Sequence, residues 1–182
     1  MQKQLLLGGK KFQVTIDRLC HQLIENHDDF KDAVLIGMQP RGIHLARRIQ
    51  KDLQEILGIN TIHCGELDVT FYRDDFRRKG NPLLPNKTKI DFIIEDKNVV
   101  LIDDVLYTGR TVRAGLDAML AFGRPRRVEL MSLVDRRYAR HLPIEPDYIG
   151  IEVDTISSEK VKVTWQGVEE QDAVWLVEKQ DD

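Results

Sequence analysis

Three observations predict an α/β fold in which a mainly parallel central sheet is flanked by helices. Short runs are apolar throughout, as strands buried on both faces require. Each is followed by a turn and then by apolar residues at helical spacing. The strand, turn and helix then recur along the chain, the pattern of successive βα units. Taken in order, Ile16, Leu19, Cys20, Leu23 and Ile24 fall at i, i+3, i+4, i+7 and i+8 and predict a helix over about Val14 to His27. Ala33 to Met38 (AVLIGM) runs up to Pro40 and Gly42 and reads as a buried strand. Ala46, Ile49, Leu53, Ile56 and Leu57 carry a helix to Gly58, a suitable stop. Ile59 to Tyr72 predicts a further strand, and Arg73 to Lys89, with Gly80, Pro82 and Pro85, a long polar loop. Asn98 to Ile102 is the next buried strand and Asp103 to Arg110 its loop. Val112, Leu116, Met119 and Leu120 then stripe a helix closed by Gly123, and Val128 to Val134 begins another strand. Ligands of such sheets sit at the carboxyl ends of the strands, which directs attention to the loops after Met38 and Ile102.

The chain of 182 residues is long enough for one hydrophobic core, so a single domain over 1–182 is expected. Hydrophobic residues at 42% and charged residues at 31% exclude wholesale disorder. Runs such as Leu5 to Leu7 and Val99 to Ile102 fall far short of the roughly 20 apolar residues of a membrane span. The opening MQKQLLLGGKKF has three leucines where a secretory segment needs about 7 to 15 apolar residues, so a cytoplasmic protein is expected. Cys20 and Cys64 have no second ligand pair and read as small buried apolar residues. A net charge of −3 removes the global field of a general nucleic-acid binder. Any polyanion site must be local.

The stretch VVLIDDVLYTGRT, Val99 to Thr111, carries the chemistry. A loop that ends at a helix N-terminus aims unpaired amides and the positive end of the helix dipole at one spot, and Gly109 lets a ligand approach the backbone. That spot suits a phosphate. Thr108 and Thr111 add hydroxyls, and the carboxylates of Asp103 and Asp104 can accept bonds from two vicinal ribose hydroxyls or hold a divalent cation. A plain strand end with a capped helix would explain part of this, but two adjacent acids exceed what capping needs. Neither G-x-x-x-x-G-K-[ST] nor G-x-G-x-x-G occurs, which removes the motifs of nucleoside triphosphatases and dinucleotide binders.

These thirteen residues resemble the phosphoribosyl-pyrophosphate (PRPP) signature of the type I phosphoribosyltransferases. RGIHLARR (Arg41 to Arg48), GELDVTFYRDD (Gly65 to Asp75), DDVLYTGRTVRAG (Asp103 to Gly115), and GRP followed by LVDR (Gly123 to Pro125, Leu133 to Arg136) extend the likeness over about His21 to Val163. They are similar to the members of that family that act on uracil and also attenuate pyrimidine operons. The resemblance implies the type I phosphoribosyltransferase fold, with a small hood and a flexible loop beside the sheet. It implies a uracil phosphoribosyltransferase that makes UMP and pyrophosphate from uracil and PRPP. Mg²⁺ would be carried with PRPP and no dedicated protein metal site is implied. A second role implied is UMP-dependent binding of pyrimidine operon leader mRNA, and the assembly implied is a homodimer or higher homo-oligomer.

The resemblance also implies roles. Asp103 and Asp104 would hold the ribose hydroxyls, and the backbone of Val105, Leu106, Tyr107, Thr108, Gly109, Arg110 and Thr111 the 5-phosphate. Pro40, Arg41 and Gly42 would form the pyrophosphate loop, Arg41 offering its donor fork. Arg73, in a basic loop with Arg77, Arg78, Lys79, Lys87 and Lys89, would help a lid close and exclude water. Asp103, Asp104, Arg41 and Arg73 are thus the catalytic candidates. Val134, Arg136 and Val161 lie where backbone groups could read the acceptor, donor, acceptor edge of uracil. Arg18, His21 and Arg140 are the RNA candidates, and the arginines between Arg124 and His141 a candidate basic patch. Two alternatives stay open: an RNA-binding regulator with vestigial catalysis, and a phosphoribosyltransferase for a purine base.

Overall fold

A computed structural model describes residues 3–72, 87–156 and 158–178. In chain order the elements are β1 (Lys3–Gly8), α1 (Gly9–His27), β2 (Ala33–Met38), α2 (Gly42–Leu57), β3 (Cys64–Leu67), β4 (Asn98–Leu106), α3 (Arg110–Met119), β5 (Arg127–Arg137), β6 (Tyr148–Asp154), β7 (Glu159–Thr164) and β8 (Ala173–Glu178). Single 3₁₀ turns occur at Thr70–Tyr72 and Leu120–Phe122. Five strands in the order β3-β2-β4-β5-β6 form a wholly parallel sheet. The other three, β1-β8-β7, form a small antiparallel sheet from the two ends of the described chain.

The apolar runs behave as doubly buried strands. Along β2, Leu35 packs into one core while Val34, Ile36 and Met38 pack into another, and in β4 Val100 and Ile102 alternate with Val99 and Leu101 in the same way. The first core is filled by Ile16, Leu19 and Leu23 of α1, Leu45, Ile49 and Leu53 of α2, and Val161, Val163 and Trp165 of the small sheet. The second takes Val112, Ala114, Ala118 and Met119 of α3. Helices therefore cover both faces. No helix among the described residues is long and apolar enough to cross a membrane. Cys20 and Cys64 are unpaired thiols, Cys20 buried and Cys64 partly so, and burial pushes both up to about 12.

The differences from the sequence reading are local. The first helix starts at Gly9 because the apolar stripe extends back one turn to the buried Phe12. The strand expected over Ile59 to Tyr72 is only Cys64–Leu67, pairing with Leu35–Met38 before the chain turns at Thr70. β1, β6 and β8 were not foreseen at all. β4 runs on through both acids to Leu106, where a loop from Asp103 had been expected, because β5 continues to pair with it.

Candidate active site

The overrun of β4 makes the site. β4 pairs with β2 as far as Ile102 opposite Gly37, then continues with β5 alone to Leu106 opposite Asp135. The chain leaves β2 toward β3 on one side and returns to β4 on the other, so this edge is the switch point of the sheet, where a crevice opens. Gly42, at the start of α2, closes the floor. A Cβ there would press on the Ile102 carbonyl oxygen, with Asp103 Cα at 3.0 Å, so only glycine lets the turn after β2 approach β4 this closely.

At the end of β4 the chain turns through Gly109, whose φ of 87° lies in the left-handed region that favours glycine, into α3. The amides of Thr108, Gly109, Thr111 and Val112 have no partner among the described residues, and that of Arg110 donates to the Thr108 hydroxyl at 3.4 Å. Together with the dipole of α3 they form an anion cradle. The cradle is braced from outside: the amides of His141 and Leu142 donate to the Thr108 carbonyl at 2.9 and 3.2 Å, and Arg140 donates to the Tyr107 carbonyl at 2.6 Å. The buried Ser132 hydroxyl accepts the Leu106 amide at 3.0 Å and donates to the Val134 carbonyl at 2.9 Å.

Asp103 and Asp104 are both buried beside the cradle. Asp103 Oδ1 accepts the Asp104 amide at 3.0 Å. Asp104 Oδ2 faces Arg41 Nε at 3.1 Å, and the rest of that guanidinium reaches the small sheet, at the Val163 carbonyl and at Glu169 Oε1 (3.5 Å). Burial pushes the Asp104 carboxyl up, and the Arg41 charge opposes that rise. His44, one turn further along α2, is driven down by burial and then by Arg41 and Arg47, so its imidazole adds no positive charge here at neutral pH. Two acids, an arginine and a row of amides thus face one notch, a set able to hold hydroxyls, a diphosphate and a monophosphate side by side.

The other candidates lie as follows. Arg73, with most of the basic loop, lies outside the described residues. Val134 is buried in the first core and Val161 is buried on β7. The Arg136 guanidinium is buried: Nε donates to Thr155 Oγ1 at 2.9 Å, NH2 to the Glu159 carbonyl at 3.2 Å, and the group stacks on the Tyr107 ring at 4.0 Å. It ties the signature loop to the small sheet. Arg18 is exposed and donates to the Ile149 carbonyl at 3.1 Å and to that of Gly150, and His21 Nδ1 donates to the Asp17 carbonyl at 2.8 Å. Arg140 is held by the Ile144 and Tyr107 carbonyls and by Asp135.

The stretch from Arg124 to His141 does not form one patch. β5 runs for eleven residues from Arg127 to Arg137, about 35 Å of strand, so Arg124, Arg126 and Arg127 lie at one end of the sheet and Arg137 and Arg140 at the other. Arg126 pairs with Asp96, Arg127 with Glu129, and Arg137 with Asp154. Three participants were not foreseen: Ser132, Glu169 and the His141–Leu142 amides. A lone serine inside the apolar run Leu130 to Val134 was a readable signal for the first. The other two are tertiary contacts with no local signature.

A model of the phosphoribosyl transferase domain matches residues 4–171. The chain belongs to the phosphoribosyl transferase family. Among its relatives, the bifunctional protein PyrR of Desulfosudis oleivorans is 44% identical over 169 residues, 93% of each chain. That of Bacillus subtilis is 41% identical over 182 residues, 98% of this chain and 99% of its own. Among solved structures, the hypoxanthine phosphoribosyltransferase of Trypanosoma cruzi superposes with a TM-score of 0.73 at 13% identity, over 97% of both chains. A hypoxanthine-guanine phosphoribosyltransferase of Bacillus anthracis gives 0.70 at 16% identity, over 97% of this chain and 99% of that one. At such identities these two structures speak for the family's fold alone.

Proposed function

We propose that this protein is a uracil phosphoribosyltransferase, forming UMP and pyrophosphate from uracil and PRPP, and that it also binds pyrimidine operon leader mRNA in a UMP-dependent way. The single observation that carries the catalytic reading is the notch itself: an amide cradle at the start of α3, two buried acids next to it, and Arg41 opposite them. The cradle takes the 5-phosphate. Asp103 and Asp104 accept the ribose hydroxyls, and Arg41 meets the pyrophosphate. As the bond from ribose C1 to pyrophosphate lengthens and the uracil nitrogen approaches, positive charge grows on the sugar, and the carboxylates below it stabilise that charge. Mg²⁺, a hard cation that keeps several waters and binds phosphate oxygens, enters with the substrate, on the pyrophosphate.

Base choice falls to main-chain groups near Val134, Arg136 and Val161, and closure to Arg73, which is assigned from sequence alone. One domain over 1–182 and a homo-oligomeric assembly complete the proposal, and sedimentation measures the latter. The regulatory role is supported by the resemblance to operon attenuators and by 38–44% identity to relatives whose own name is bifunctional. The test is pyrophosphate release with Mg-PRPP and a panel of bases, together with gel shifts on a pyrimidine leader RNA with and without UMP. Release with uracil and a UMP-strengthened shift are expected. Release with hypoxanthine or guanine alone would replace the first reading, and an unshifted RNA would remove the second.

A further inference from the structure

Glu169 belongs neither to the signature nor to the turn after β2. It lies between β7 and β8, where its Oε2 accepts the Trp165 amide at 3.0 Å while its own amide donates to the Trp165 carbonyl at 2.8 Å. Side chain and main chain therefore close the same short turn. Trp165 fastens that turn to the core, its buried ring meeting Phe12 edge-on with centroids 5.6 Å apart. The remaining oxygen, Oε1, stands 3.5 Å from both terminal nitrogens of Arg41, and the Val163 carbonyl accepts from the same guanidinium. The Trp165 amide first, and Arg41 after it, hold the Glu169 carboxyl below the usual carboxylate range. The arginine of the turn after β2 is thus held by an acid of the turn between β7 and β8, and that acid cannot shift without opening its turn.

We infer that Glu169 is a positioning residue, holding the Arg41 guanidinium in the notch so that the pyrophosphate of PRPP meets a donor fork already oriented. This rests on the reading of Arg41 as the pyrophosphate ligand. An arginine with Asp104 as its one ionic partner would stay on the carboxylate that the ribose hydroxyls need. A second anchor lets it release Asp104 to the sugar and keep its place. Orientation before binding also removes the loss of side-chain freedom that would otherwise weaken the complex.

The experiment is calorimetric titration of the full chain with Mg-PRPP and, separately, with UMP, which lacks the pyrophosphate. Glu169→Gln keeps an acceptor for the Trp165 amide and loses the charge. It is expected to weaken Mg-PRPP about tenfold and to leave UMP within about twofold. In an Arg41→Ala background the same substitution is expected to change neither ligand further. Equal weakening of both ligands would make Glu169 a support of the turn only. Unchanged or tighter Mg-PRPP binding would also overturn the assignment, the tighter case meaning that Glu169 competes with the pyrophosphate for Arg41. If Arg41→Ala alone leaves Mg-PRPP affinity intact, the reading of Arg41 falls and this inference with it. If Arg41→Ala weakens the ligand and Glu169→Gln does not, the positioning role alone is lost.

Discussion

Two buried carboxylates lie toward opposite ends of the central sheet, and they are finished differently. Glu129, near the start of β5, is 4% exposed: its Oε2 accepts from Tyr148 at 2.8 Å and lies 2.7 Å from His27 Nε2, and its Oε1 is 3.2 Å from Arg127 Nε. Asn26 completes the cluster by donating to the Tyr148 hydroxyl at 2.8 Å. Asp104, past the last β2 pairing of β4, is 7% exposed and, among the described residues, faces one cation, which Glu169 and Val163 share. Burial of an acid is therefore not what marks a site. What separates the two is whether the partners are closed around the carboxylate or can be exchanged for a ligand.

The contrast breaks if either acid behaves like the other. The largest effect is expected for Asp104→Asn, which should reduce uracil-dependent pyrophosphate release about a hundredfold while the protein stays folded by circular dichroism. Next, Glu129→Ala should cost about 3 kcal/mol in urea unfolding, since it leaves His27, Tyr148 and Arg127 without their common acceptor, yet the folded variant should bind Mg-PRPP as before. A loss of affinity there would erase the distinction.

A smaller effect concerns pH. The Asp104 carboxyl is raised in the folded chain, so between its unfolded and folded values the folded state holds more proton. Stability must then rise as pH falls through the folded value and level off below the unfolded one, opposite to an ordinary paired carboxylate. Unfolding of wild type and Asp104→Asn followed as a function of pH should show the difference shifting in favour of wild type as pH drops below neutrality. The smallest effect is that of Asp96→Asn, which removes the charge of an exposed pair with Arg126 while keeping a residue that tolerates the left-handed φ of 57° there, and should leave the unfolding midpoint within measurement error.

The inner strands of the central sheet could be read because their evidence is local: AVLIGM and NVVLI each declare burial on both faces, and the helix stripes follow within a few residues. The cradle could be read for the same reason, its glycine, hydroxyls and acids being contiguous. β1 could not. Its leucines are three in a row with no alternation, and their partner, Ala173 to Val177, lies at the far end of the chain. Nor could the fate of the charged side chains. Arg136 looks in sequence like any arginine after a strand, and only the fold places Tyr107, Thr155 and Glu159 around it. Glu169 sits among Glu170, Gln171 and Asp172, and nothing in that polar run distinguishes the acid that reaches Arg41.

The overrun of β4 past β2 has one more consequence. The amide cradle and both acids hang from a central strand pinned by β5, whereas Val163 and Glu169, which hold Arg41, come from the far end of the chain and its separate antiparallel sheet. The two sheets therefore meet at one guanidinium. A substitution that loosened the antiparallel sheet would be felt at the notch through that side chain.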